Sequence, residues 1–352
     1  MPTVLFAWRR TPPPLLIGGA EVTQQLLAEE FAASGWRTLY LGSHEAPWDQ
    51  SSQLPQFRAF LHSRATPYEE TRDVLRYEWN GVACTAVPQD RVTPTLSGML
   101  TRERPDIVIT SQEGAADIAG QARSTSLVAG ILHSVSKTGL GVLAGRPYHG
   151  LAVSEFVRQR AQALGGTRLA VIYPPFIPVP DEASAPRSPA VLMVNPIPAK
   201  GSDLLHQLIR DMPEQHFTLV EGWWDTAAHF AAYPNVTYVP RVYDLNPLYR
   251  THRLLLAPST VEDAFPRVII EAALHGTPTI GSARGGIPEA VGAGGIVMPL
   301  GAGAGDWAAA IRRARIEDLG ERARRYAAQF ARPRLPDLEA LGMWPSPGPT
   351  PG

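Results

Sequence analysis

Between residues 174 and 189, six of sixteen positions are proline. Proline lacks a backbone N–H and fixes φ, so this stretch can form neither a helix nor an inner strand. It reads as a semi-rigid linker, and the 352-residue chain must fold as two bodies on either side of it. In both halves short apolar, β-branched runs alternate with amphipathic stretches, the pattern of parallel β/α units. The expected strands are 4–7, 38–41, 106–110, 127–132, 151–153 and 169–172, then 191–194, 217–220, 236–239, 254–257, 279–280 and 296–298. A helix is expected from the Gly18-Gly19 pair to about Ala33, and others near 202–211, 245–251, 266–275 and 306–315. Residues 43–75 are polar and irregular, and the pattern assigns them no element. The expected division is an N-terminal domain at 1–178, a linker at 179–189, a C-terminal domain at 190–330, and a partly disordered tail at 331–352.

Composition narrows the function classes. The net charge of −1 argues against nucleic acid as a partner. Cys84 is the only cysteine, so no intrachain disulfide is available, and its apolar surroundings suit a buried structural thiol. No Cys/His cluster has metal-ligand spacing. No apolar run approaches the ~18 residues of a membrane span, and the N-terminus has no signal-peptide pattern. A cytoplasmic location is the resulting expectation. Lys137 and Lys200 are the only lysines among 32 basic residues, so each carries some information.

Residues 257–289 are the most informative stretch. A strand ends at Pro258-Ser259, and a loop leads into a helix beginning near Pro266. A helix start presents unpaired N–H groups and a partial positive charge, which suit a diphosphate. Glu271 lies about one and a half turns into that helix, where a carboxylate can accept hydrogen bonds from vicinal hydroxyls. Read alone, it is equally a surface carboxylate. Asp263 in the loop is a candidate N-cap, with Glu262 beside it. Gly285-Gly286 then permits close approach of backbone to a ligand. Upstream, residues 194–203 place Asn195 and Lys200 after the first strand of the second half, and Lys200 alone would be a solvated loop lysine.

This stretch resembles the carboxylate-x7-carboxylate region of glycosyltransferase family 4, retaining enzymes of GT-B fold. The resemblance implies two Rossmann-like, doubly wound parallel-sheet domains facing across a cleft. It assigns Glu271 to the donor ribose, and Asp263 with the backbone around Phe265, Arg267 and Val268 to the donor sugar and phosphates. Lys200 matches the second of two basic positions that grip the diphosphate, and Asn195 stands at the first, where arginine is usual. Gly18-Gly19-Ala20-Glu21 is similar to the family's turn after the first strand, although a Gly-Gly pair is also a simple turn. His133 follows an apolar run, either as a structural histidine or as one facing the donor sugar. Arg241 and Val242 match the loop that meets the nucleobase, and Gly286 the second glycine loop. Arg284 is a candidate to supply the charge that Asn195 lacks.

The family implies transfer with retention, a UDP- or GDP-sugar as co-substrate, no cofactor and no metal. The acceptor class stays open among small molecules, glycans and lipid-linked acceptors. Trp8-Arg9-Arg10 with Leu15-Leu16-Ile17 suggests a peripheral membrane contact for the last of these. Two other readings are a nucleotide-sugar epimerase or hydrolase of the same fold, and a nucleotide-sugar-binding protein without catalysis. Asn195 and Pro266, where the family commonly has Arg and Gly, motivate the latter. Gly301-Ala-Gly303-Ala-Gly305-Asp306 imitates a dinucleotide fingerprint but carries Asp306 at the third glycine position, which suits an N-cap for 307–315. The adjacent pairs Glu29-Glu30 and Glu317-Asp318 point to different helix faces and make no acid/base couple.

Overall fold

The computed structural model describes residues 1–14, 18–165, 167–180, 187–222, 228–316 and 319–343. The expectations for Leu15-Leu16-Ile17, for the linker core at 181–186, for Glu317-Asp318 and for the proline-rich end from Trp344 therefore lie outside the described residues. The chain divides into two units: one spans Met1–Pro175 and resumes at Pro333, and the other is Phe176–Arg332.

The first unit is built on a nine-stranded sheet. Its strands are β1 (Thr3–Ala7), β2 (Arg37–Ser43), β3 (Tyr68–Thr71), β4 (Val74–Trp79), β5 (Val82–Val87), β6 (Ile107–Ser111), β7 (Leu127–Leu132), β8 (His149–Ala152) and β9 (Arg168–Val171). The order is β3-β4-β5-β2-β1-β6-β7-β8-β9. Both faces of β1 are buried, so it reads as a continuous apolar run rather than an alternation. Leu5 and Ala7 pack with Leu96, Met99 and Ile118 on one side. Phe6 points the other way, stacked on Tyr40 and edge-on to Phe31 of the helix Gly19–Ala33. Cys84 is buried in β5, and burial pushes its thiol pKa up, as a structural role requires.

The segment left unassigned by pattern has order. Residues 54–63 form the helix Leu54–Ser63, and β3 and β4 add antiparallel strands to the edge of the otherwise parallel sheet. The overlooked signal is Asn80-Gly81 between β4 and β5. Both residues have positive φ, 49° and 79°, as the tight hairpin turn favoured by Asn-Gly requires. β3 itself, Tyr-Glu-Glu-Thr, is exposed along its whole length and gives no apolar alternation to detect.

The tail differs from expectation as well. The helix Leu335–Ala340 belongs to the first unit instead of trailing from the second. A carboxylate oxygen of Glu30 accepts the backbone N–H groups of Arg334 and Leu335 at 2.6 and 2.8 Å, capping that helix from another one. His149 Nε2 meets the Leu341 carbonyl at 3.0 Å, and Met343 is fully buried.

The second unit carries a six-stranded parallel sheet of β10 (Ser188–Val194), β11 (Phe217–Val220), β12 (Val236–Val239), β13 (His252–Ala257), β14 (Thr279–Ser282) and β15 (Ile296–Met298), in the order β12-β11-β10-β13-β14-β15. β10 begins inside the segment expected to be linker. Val191 and Met193 of β10 and Leu254 and Leu256 of β13 pack against Leu205 and Leu208 of the helix Ser202–Asp211 and Ile311 of the helix Ala304–Ile316. The latter helix starts two residues before Asp306, so Asp306 is not its N-cap. Its carboxylate instead reaches back to the N–H of Gly303 at 2.9 Å, the reciprocal half of a capping box.

Candidate functional site

In each sheet the first strand has later strands added on both sides, so the order switches between β1 and β6 in the first unit and between β10 and β13 in the second. Ligands of open α/β sheets bind outside the carboxyl ends of the strands at such a point. The loops leaving β10, β13 and β14, three neighbouring strands, carry most of the residues singled out by sequence.

After β10 the chain turns through Asn195 and the short turn Pro198–Lys200. Gly201 has φ +91°, and a side chain there would run into the Pro258 carbonyl, so only glycine closes the turn. Thr260 donates its backbone N–H to the Ala199 carbonyl at 3.0 Å, and the Ser259 hydroxyl donates to the same carbonyl at 3.2 Å. These bonds tie the β10 loop to the β13 loop and bring Lys200 Nζ to the carboxylate of Asp263, with which it forms an ion pair. Lys200 is thus not a loosely solvated lysine. Asp263 is not an N-cap either, because the helix Arg267–Leu274 is entered through Pro266.

Gly285-Gly286 presses on the same loop from β14. Gly285 has φ +59°, and a Cβ on Gly286 would collide with the Ala264 carbonyl. The Gly286 N–H donates to the Asp263 carbonyl at 2.6 Å. The close approach that these glycines permit is to the 263–264 backbone. Arg284, immediately before them, makes no ion pair among the described residues.

Within the helix Arg267–Leu274, Glu271 is partly exposed and both carboxylate oxygens have partners. Arg267 Nε donates to Oε1 at 3.0 Å, and the Tyr249 hydroxyl donates to Oε2 at 3.3 Å. The Arg267 guanidinium lies over the Phe176 ring, 4.4 Å from its centroid. Its burial lowers its pKa, and the adjacent carboxylate works in the opposite direction. The Tyr249 hydroxyl is pushed well above the ordinary phenol range by burial and by the Glu271 charge. Phe265 is buried against Phe176 and Phe330, and Val268 follows Arg267 in the helix's first turn.

Asn195 adopts φ +60°, a left-handed conformation that asparagine tolerates better than arginine. Its amide lies against Gly222 with Oδ1 buried and unpartnered, so it presents no cationic fork to a phosphate. Arg241 is exposed, and its Nε donates to the Gly222 carbonyl at 2.8 Å. Val242, next to it, is exposed.

Gly18, Gly19 and His133 lie in the other unit. Gly18 is the extended residue at the entry of the helix Gly19–Ala33, and His133 follows β7 and is half-buried. What occupies the β1/β6 switch point is a group that sequence reasoning missed. Arg10 donates through Nε and a second nitrogen to both oxygens of Glu113, at 2.7 and 2.8 Å, and through Nη1 to Glu21 at 3.0 Å. Burial alone would raise the Glu113 pKa, yet the hydrogen bonds and charge of Arg10 hold it below the usual carboxylate range. Trp8 is fully buried, and Arg9 donates to the Gln89 carbonyl and to the Thr93 hydroxyl. Among the described residues no helix is long and apolar enough to cross a membrane. Nor do three or more His, Cys, Asp or Glu side chains come together among them to hold a metal ion.

Comparison with known proteins bears on the fold. No curated protein sequence matches the chain. Sucrose-phosphate synthase from Thermosynechococcus elongatus has 18% identity and a TM-score of 0.70, covering 97% of each chain. HepE of Anabaena, solved with UDP and glucose, has 19% identity and a TM-score of 0.71 over 98% of this chain and 100% of that one. TarM of S. aureus, solved as a point mutant with UDP among its ligands, has 11% identity and a TM-score of 0.72 over 97% and 99%. Identities this low show the fold alone, and that fold is GT-B, with two Rossmann-like parallel-sheet units. In sequence, residues 188–315, from the first residue of β10 almost to the end of the helix Ala304–Ile316, match the profile of the family described as Glycosyl transferases group 1.

Proposed function

We propose that the chain is a retaining glycosyltransferase that moves a sugar from a nucleoside diphosphate sugar to an acceptor hydroxyl without a metal. The observation that carries this reading is the convergence of Lys200, Asp263 and the Gly285-Gly286 loop at the switch point of the second sheet. The profile match covers the same residues. UDP, present in the HepE and TarM structures, makes a uridine nucleotide the first candidate.

In this reading Lys200 exchanges its ion pair with Asp263 for the donor diphosphate. The bond between the anomeric carbon and the phosphate oxygen breaks, and its electron pair leaves with the diphosphate. Lys200 and the first amides of the helix Arg267–Leu274 stabilise that developing charge through preorganised electrostatics. The acceptor oxygen attacks the face that the diphosphate leaves, and its proton passes to the departing phosphate oxygen. Glu271 holds the ribose. Arg284 supplies a second positive charge in place of Asn195.

The thermal stability of wild type and Glu271→Ala with UDP, GDP, ADP and dTDP tests the donor site. A ligand at 100 times its Kd adds about 2.7 kcal/mol. One nucleotide should stabilise the wild type and not the variant; no stabilisation by any of them rejects the reading. The Asn195 geometry favours one rival, a nucleotide-sugar binder without transfer activity. Donor turnover with an acceptor panel separates the two, and donor consumption without acceptor would identify the hydrolase or epimerase. The anomeric configuration of the product, read by NMR, tests retention.

A further inference from the structure

The surroundings of Glu271 suggest how its carboxylate reads a ligand. A carboxylate offers about four lone-pair positions. Two are used here, one on each oxygen: Oε1 by Arg267 and Oε2 by Tyr249. One acceptor position remains on each oxygen, matching the two donors of a vicinal diol. The negative charge of Glu271 is already met by the Arg267 guanidinium, so the carboxylate suits neutral hydroxyls better than a further cation. Both partners are fixed. Arg267 is held against Phe176, and the backbone carbonyl of Tyr249 accepts the Thr277 hydroxyl at 2.6 Å, anchoring the helix Asn246–Thr251 from β14's side of the sheet. Tyr249 is 1% exposed, and a buried phenol needs a hydrogen-bond partner, which Glu271 provides.

We infer that Tyr249 is a positioning residue for Glu271, and that together with Arg267 it makes the site selective for ribonucleoside over deoxyribonucleoside diphosphates. This rests on the ribose role proposed for Glu271. Without the hydroxyl of Tyr249, the carboxylate can rotate about its last bond, and its two open acceptor positions no longer face a diol together. A rigid pair of acceptors loses much of its binding when one ribose hydroxyl is missing, whereas a mobile one adapts.

The test is calorimetric binding of UDP and 2′-deoxy-UDP to wild type, Tyr249→Phe and Glu271→Ala. For the wild type, UDP should bind about tenfold more tightly than 2′-deoxy-UDP, the equivalent of one hydrogen bond to a charged group. Tyr249→Phe should reduce that preference to about threefold or less while leaving the affinity for 2′-deoxy-UDP within about twofold of wild type. A merely structural role for Tyr249 would weaken both ligands in parallel; that result, or an unchanged preference, overturns the inference. Arg267→Lys, which keeps the charge but loses the Nε donor, should move the preference in the same direction and serves if Tyr249→Phe does not fold. If Glu271→Ala retains the full preference, or UDP does not bind at all, the ribose role itself fails. Loss of preference in Glu271→Ala alone leaves that role standing without Tyr249.

Discussion

The two switch points occupy equivalent places in two similar sheets, yet their charges are arranged in opposite ways. At β1/β6 a single cation, Arg10, lies between two carboxylates and bonds to three of their oxygens. Glu21 retains only 7% of its side-chain exposure there. At β10/β13 a lysine meets one carboxylate in a one-to-one pair, both partly exposed at 31% and 19%, with Arg284 nearby and outside any ion pair among the described residues. The first arrangement is self-satisfied: its cation is already shared between two carboxylates. The second holds its cation through one exchangeable contact, which a diphosphate can replace. A shared topology thus fixes where a ligand binds, and the side chains decide what kind of ligand.

Four experiments would break or sharpen this contrast. The largest effect is expected for Lys200→Met. Its turnover should fall by about 10²–10³-fold, the cost of losing one preorganised charge-stabilising donor. Its stability should stay within about 1 kcal/mol of wild type, as for a part-exposed ion pair. Steady-state rates alongside urea denaturation would show both, and a large stability loss would erase the distinction between the two switch points. Arg10→Met should show the reverse signature on stability. Leaving two carboxylates without their cation should cost about 2–3 kcal/mol. Hydrogen exchange should then rise in β1, β6 and the helix Gly19–Ala33 while β10 and β13 stay protected. Exchange that rises equally in both units would show that the triad is not a local lock.

A smaller effect is expected for Asp263→Asn, which releases Lys200 without moving it. UDP should then bind about two- to fivefold more tightly, since a part-exposed pair is worth less than about 1 kcal/mol. Weaker binding would mean that Asp263 orients the lysine rather than restraining it. The smallest effect is a pH dependence in the first unit. Glu113 is held below its ordinary 4.5 by Arg10, so its contribution to stability is complete above that value and disappears as pH falls through the lower folded value. Acid denaturation followed by exchange in β6 should show this loss in wild type and not in Glu113→Gln.

Much of this architecture was legible in the sequence, because buried parallel strands are apolar on both faces and announce themselves locally. The prolines at 174–189 likewise marked the passage between units, although the division falls at Pro175 and Phe176 and β10 starts at Ser188. What escaped pattern reading was either too polar to show periodicity, as in Tyr68–Thr71, or defined by distant partners. Lys200, Asp263 and Glu271 stood out only through the resemblance of the stretches around them to a recurrent motif. Tyr249 did not, because it sits in a six-residue helix and reads as a core aromatic. Arg10 and Glu113 are 103 positions apart, and nothing local to either one reports the other. The contacts of Asn195 were equally hidden: its left-handed backbone accompanies a turn in which the Ile197 N–H donates to its carbonyl.

The capping of the last described helix by Glu30 bears on the order in which the chain is assembled. Its partners lie 304 and 305 positions downstream, beyond the whole of the second unit. As the polypeptide emerges from the ribosome, all of residues 19–33 are present long before either partner of this carboxylate appears. The second unit, continuous from Phe176 to Arg332, has all its strands before residues 334 and 335 appear. The first unit to be translated is therefore the last to be completed. A chain cut within residues 333–343 would have an intact second sheet beside a first unit lacking its final clasp.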